Sequence, residues 1–256
     1  MPAQPASNIK WNENYFFGSD TLISKSAHGA IVAAVIAGWS ATEAHLGRTF
    51  ATLIGAKQPV TMRMYAAARS FEVQSDLLKA AVDEILSKRD ADLFDAALAV
   101  LRKTVRYRNQ FAHWIWGASA DPSVDALLLV EPRTFWHLTA AQIKYGKRNR
   151  LGYFESLFSQ PRLRREDIWV YRLSDLEEAH EHINRAFRIA EALRQFVSSK
   201  GERRRVIYRW LTSEADIQTE LSRKTQKRQQ PSRPPQRGRP RKPSPKKAKE
   251  KPKSPP

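Results

Sequence analysis

HGAIVAAVIAGWSATEAHLGRTFATLIG, from His28 to Gly55, is the stretch whose reading decides the fold. Ile31, Val35, Trp39, Leu46, Phe50 and Leu53 recur at steps of three and four residues, the period of one helix face. The spacing predicts a long helix with one strongly buried face, stopped by Gly55 and Pro59. Its most apolar piece, Ala30 to Ala37, is too short to span a bilayer and reads as buried helix.

Two more helical regions follow. Thr61 is a plausible N-cap for one through Met64, Phe71, Leu78, Val82 and Leu86, with a break near Ser70. Asp90 or Asp92 opens another, with Phe94, Leu98, Leu101, Val105, Phe111 and Ile115 inward, ended by Gly117 and the loop Ala118–Ser123. The pattern then changes to strands: Ala126–Val130 and Thr134–Leu138 around a turn at Glu131-Pro132-Arg133, and later Ile168–Tyr171. A basic, irregular connection is expected from about Lys144 to Glu166. Ser174-Asp175-Leu176-Glu177 reads as a capping box opening a last long helix through Ile183, Phe187, Ala190, Leu193 and Val197, closed by Gly201. A short extension with Ile207, Trp210 and Leu211 follows.

The 256 residues suit one core with appendages rather than two full domains. Lys and Arg number 44 against 26 Asp and Glu, a formal charge of +18. That charge is unevenly placed: Leu221 to Pro256 holds fourteen basic residues and one acid. With no cysteine there is no disulfide framework and no thiolate-ligated zinc or iron–sulfur site. Met1 to Gly18 lacks the basic-then-apolar pattern of a targeting segment, so a soluble, cytoplasmic protein with no membrane partner is expected.

The residues with chemistry are Arg108-Asn109-Gln110-Phe111-Ala112-His113, on the last turns of the third helix. Arginine offers a permanently charged fork of donors to a phosphate, and histidine moves protons near neutral pH. At about 100° per residue, Asn109 and His113 stack one turn apart while Arg108 projects about 140° away from His113. One helix is therefore expected to hold half a site, with two copies across a two-fold axis presenting two arginines and two histidines to one cleft. A plainer role is open for the same residues: Arg108 paired with an acid such as Glu43, and His113 a satisfied, partly buried histidine. The remaining histidines, His28, His45, His137, His180 and His182, lack metal-ligand spacing, so no metal or cofactor is expected.

Arg, a polar residue, three variable residues and His on a helical scaffold resemble the HEPN superfamily over roughly residues 27–199. The resemblance implies a helical bundle that dimerises through the motif helices, and an endoribonuclease that works without metal in a toxin or phage-defence role. It implies catalytic roles for Arg108, Asn109 and His113, with Glu43 as possible support, RNA as substrate, and an antitoxin or regulatory protein as a partner. It also implies cleavage by the RNA's own 2′-hydroxyl, leaving a 2′,3′-cyclic phosphate. Some members carry a tyrosine two places after the histidine as a target of nucleotidylation. Here that place holds Ile115, flanked by Trp114 and Trp116, each able to pack or to stack on a base. The alternative is a non-catalytic module of the same shape that binds nucleic acid or a protein.

From about Arg223 the chain is Pro, Lys, Arg, Ser and Gln, with nine of the fifteen prolines. It is expected to be a disordered tail. Within it Arg237-Gly238-Arg239-Pro240 looks like an AT-hook, whose glycine lets the backbone sit on the floor of a narrow minor groove while the arginines lie along it. A general polybasic affinity for DNA or another polyanion is the other reading. The expected architecture is thus mainly α: an N-terminal extension (1–26), an HEPN-like bundle (27–199) with a β-strand insertion at about 124–173, a helical extension (200–222) and the tail (223–256).

Overall fold

The computed structural model describes residues 4–8, 15–18, 20–121, 124–152 and 163–229. The AT-hook-like residues Arg237, Gly238, Arg239 and Pro240 lie outside them. The chain is mainly helical, with a small antiparallel sheet. In chain order the elements are β1 (Gln4–Pro5), β2 (Tyr15–Phe17), α1 (Thr21–Ser24), α2 (Ser26–Ile54), α3 (Gln58–Ala67), α4 (Phe71–Ile85) and α5 (Lys88–His113). Then come β3 (Ile115–Ser119), β4 (Ala126–Val130), α6 (Pro132–Arg148), β5 (Ile168–Arg172), α7 (Leu173–Ser198), α8 (Gly201–Ser213) and α9 (Ala215–Gln229).

The period-derived helix is α2, and Gly55 ends it in the left-handed conformation at φ 68°, which glycine adopts without a Cβ penalty. Val32, Val35, Trp39, Leu46 and Phe50 are buried in the main core, and α2 packs chiefly along α7. The approach is close at Gly38, where a Cβ would lie 2.7 Å from Ile183 Cγ2. By length and apolarity α2 also passes for a membrane-crossing helix, a test that a long core helix meets equally. Phe94, Leu98, Leu101 and Phe111 bring α5 into the same core.

Several boundaries differ from the sequence reading. Pro59 does not close off a helix but sits in the first turn of α3, where a missing amide costs nothing. Thr61 is consequently buried inside α3 rather than capping it. Ser70 is the real break: its hydroxyl accepts from Val73 N and starts α4. Ser87, rather than Asp90 or Asp92, caps α5 by accepting from Asp90 N. At α7 the cap is Arg172, whose amide donates to Asp175 Oδ2 at 2.8 Å. The box read at Ser174–Glu177 is therefore displaced by two residues. Gly201 begins α8 at φ 58° instead of closing α7, which ends at Ser198.

The sheet has the order β1-β5-β4-β3-β2, every pair antiparallel. Thr134–Leu138, read as a strand, lies in α6. Pro132 stands in its first turn and Phe135 and Leu138 face inward three residues apart, so helical period overrode the β propensity of the Thr-Phe-Trp run. Conversely, Ile115 to Ser119, read as helix end and loop, is β3. There a Cβ on Gly117 would come within 2.6 Å of Phe16 O, so only glycine admits β2 at that distance. Gln4–Pro5 and Tyr15–Phe17 are accordingly the two edges of the sheet. β4 is buried on both faces: Leu127 and Leu129, with Tyr171 of β5, join the helical core, while Ala126, Leu128 and Val130, with Val170, meet α6 in a smaller one. That is why it reads as an unbroken apolar run.

The tail boundary also moves. The helical extension is two helices, and α9 continues through Gln229, with Ile217 buried and Leu221 against the core. Lys224, placed in the tail by composition, bonds Asp95 at 2.5 Å and Asp92 at 3.5 Å on α5.

Candidate nucleic-acid cleavage site

The last two turns of α5 are anchored on their inner side. Phe111 is buried, edge-on to Tyr171 at 5.3 Å between ring centres. The Tyr171 hydroxyl donates to Gln110 Oε1 at 3.0 Å, and Trp116 Nε1 donates to Phe111 O at 3.2 Å. Trp116 is thus a packing residue. With that face held, Arg108, Asn109 and His113 fall on the outer side, where α5 ends.

There they open on a cleft of about 640 Å³, walled by α2, by the α3–α4 junction and by α5. Arg108 Nη1 donates to Asn109 Oδ1 at 3.1 Å and stands 3.4 Å from His113 Nε2. This corrects the expectation that one helix cannot bring Arg and His together. The 140° separation applies to the directions in which the side chains leave the helix, and the long arginine chain wraps back across it. A neutral ring with its proton on Nδ1 accepts at Nε2. Among the described residues no ion pair joins Arg108 to Glu43, and His113 is exposed. All four, Arg108, Asn109, His113 and Glu43, nevertheless line the one cleft.

Three arginines, Arg69, Arg106 and Arg108, face a single carboxylate, Glu43, so the cleft favours an anionic occupant. Arg108 Nε is buried with no protein partner, and so is Gln74 Oε1, whose amide nitrogen is spent on Ala68 O at 2.9 Å. A buried donor and a buried acceptor left unpaired are costly unless something polar completes them. Near Glu43, burial first and the carboxylate second push the Tyr65 phenol well above the usual tyrosine range, so it stays protonated. Trp114 lines the rim. Gln74, Arg69 and Arg106 were not found from sequence; their shared cleft depends on where α4 begins, and the one local signal was the break at Ser70. Among the described residues no group of three or more His, Asp or Glu is placed to hold a metal ion. Comparison with protein-family models, with curated proteins and with solved structures finds nothing that matches this chain.

Proposed function

We propose that the protein is an HEPN-like endoribonuclease that cleaves RNA through Arg108, Asn109 and His113 without a metal cofactor. One observation carries the reading: a guanidinium and an imidazole 3.4 Å apart, in an arginine-lined cleft. Arg108 holds the scissile phosphate and stabilises charge as the 2′-oxygen adds to phosphorus. His113 takes the 2′-hydroxyl proton. The bond to the 5′-oxygen then breaks, that oxygen is protonated, and a 2′,3′-cyclic phosphate remains. One imidazole cannot accept and donate in the same step, so the protonated His113 of a second copy supplies the departing proton. The active species in this reading is a homodimer, cytoplasmic, in a toxin or phage-defence role under an antitoxin or regulatory protein. Asn109, bonded to Arg108, fixes the guanidinium, and Glu43 stands opposite as an acceptor for a ribose hydroxyl.

The test is RNA cleavage in EDTA by the wild-type chain and by His113→Ala, with end-group analysis and sedimentation. Cyclic-phosphate ends from a wild-type dimer, lost in the variant, are expected. RNA left intact by the wild type, or cut equally by the variant, overturns the catalytic reading and leaves a binding module whose tail tethers it to DNA.

A further inference from the structure

A second cleft, of about 720 Å³, opens at the opposite end of α5. Arg89 from the first turn of α5 and Arg204, Arg205 and Arg209 from α8 line it, against two acids, Asp90 and Glu202. Along α5, Arg89 lies roughly 36 Å from His113 at 1.5 Å per residue, so the two clefts are separate.

Two of these arginines are built into the wall. Arg204 bonds Asp90 at 2.8 Å and lies 4.3 Å over the Phe196 ring. Arg89 Nε donates to the Tyr208 hydroxyl at 2.8 Å with its guanidinium 4.2 Å over that ring. The other two are available. Arg205 and Arg209 share one acid, Glu202, at 3.4 and 3.2 Å, and their side chains are 77% and 72% exposed. Exposed pairs of this kind hold weakly, and a phosphate oxygen competes well for the same fork. Phe196 and Tyr208 give the cleft an aromatic wall, and Arg205 and Arg209 leave exposed cationic groups on it. That is a surface for a phosphodiester backbone.

The course of α9 leads toward the same end of α5. α9 runs antiparallel to α5: Glu220 meets Lys103, and Lys224 meets Asp95 and Asp92. Five residues farther, roughly 7.5 Å along the axis, α9 reaches Gln229 at the level of the α5 first turn. The chain from Gln230 onward holds ten basic residues and one acid. We propose that the cleft of Arg89, Arg204, Arg205 and Arg209 is a second nucleic-acid contact, gripping the phosphodiester backbone of a duplex. The contact is independent of whether the Arg108–His113 site cleaves RNA.

The experiment uses the full chain and Arg205→Ala/Arg209→Ala, titrated across salt concentrations with a short DNA duplex and with an RNA duplex of the same length. With the duplex that the cleft accepts, the slope of log K against log salt falls by about 1.8, two phosphate contacts at about 0.9 each. Arg205→Lys/Arg209→Lys restores it. A slope unchanged for both duplexes overturns the proposal. A second measurement does not depend on any variant: amide exchange over the first turns of α8 in the wild type slows when duplex is added. Exchange there that is indifferent to both duplexes also overturns it.

Discussion

Arg108 Nη1 stands 3.4 Å from His113 Nε2 although the two residues leave α5 in directions about 140° apart. The arginine therefore neighbours the histidine of its own chain, and in the proposed ribonuclease a substrate phosphate would enter between them. Removal of either side chain leaves the core untouched, since neither belongs to it. His113→Ala is expected to lower kcat about 10²–10⁴-fold, the range of a lost general base. Arg108→Lys keeps the charge but loses the planar fork, and should retain more activity than Arg108→Ala. Single-turnover cleavage with a circular dichroism melt checks both; equal losses in the two arginine variants would contradict the fork argument.

Glu43 lines the cleft from α2 without bonding Arg108. Glu43→Gln keeps its size and its acceptor oxygen. If the carboxylate receives a ribose hydroxyl, KM is expected to rise while kcat changes less, because uniform binding has been lost. A fall in kcat at constant KM would instead assign Glu43 to the transition state.

Gly38 meets Ile183 where α2 packs along α7, and a Cβ there would sit 2.7 Å from Ile183 Cγ2. Gly38→Ala is expected to cost about 1–3 kcal/mol by overpacking, set against a gain of up to about 1 kcal/mol in helix propensity. Urea unfolding measures the balance; net stabilisation would show that the contact gives way.

What was legible in the sequence was periodicity. Trp39, Leu46 and Phe50, or Phe94, Leu98 and Leu101, announce their helices because a helix buries one stripe and the stripe repeats. Short segments lack that redundancy. Ile115–Ser119 reads as helix end and loop yet is a strand, and Thr134–Leu138 reads as a strand yet is helix, because five residues fit either period, and a partner strand or a proline at the helix start decides the matter. The motif's residues were legible, but their mutual geometry was not, because it depends on an arginine rotamer. Lys224 was hidden for another reason: composition assigns it to the tail, and only the acids of α5 show that it belongs to the fold.

Asp95 binds Lys79 and Lys224 together, joining α4, α5 and α9. Burial raises its carboxyl, but the bonds from Lys224 and Lys79 outweigh that and hold it below the usual carboxylate range. A depressed folded value contributes stability at pH above the ordinary carboxylate value and loses it as pH falls through the depressed one. Asp95→Asn is therefore expected to cost about 1–2 kcal/mol at pH 7, allowing for solvent screening, with the difference closing toward pH 2. Lys79 is half-exposed; the desolvation it does suffer lowers it, yet its bonds to Asp95 and Asp83 raise it overall. Its contribution persists through neutral pH and fades only as pH climbs past that raised value. Paired wild-type and variant melts across pH test the window; a difference constant from pH 7 to pH 2 would refute it.

Chain truncation separates α9 from the residues that follow. A chain ending at Gln229 keeps Lys224 and should melt with the wild type. One ending at Ser222 loses the Lys224 bonds to Asp92 and Asp95 and should melt about 2–8 °C lower, at roughly 2–4 °C per kcal/mol for a chain of this size. Ending at Gln229 also removes ten basic residues, and most of the salt-dependent DNA affinity should go with them. Selectivity is a further matter: if the C-terminal residues prefer A-tracts, Arg237-Gly238-Arg239-Pro240 is the motif that would carry it. Arg237→Ala/Arg239→Ala should abolish a preference for A-tract over GC duplex while leaving most affinity for either, because minor-groove insertion reads width and potential whereas the other lysines and arginines read only phosphate. If wild type binds the two duplexes equally at matched salt, the C-terminal residues are a polybasic arm and the motif carries no sequence information.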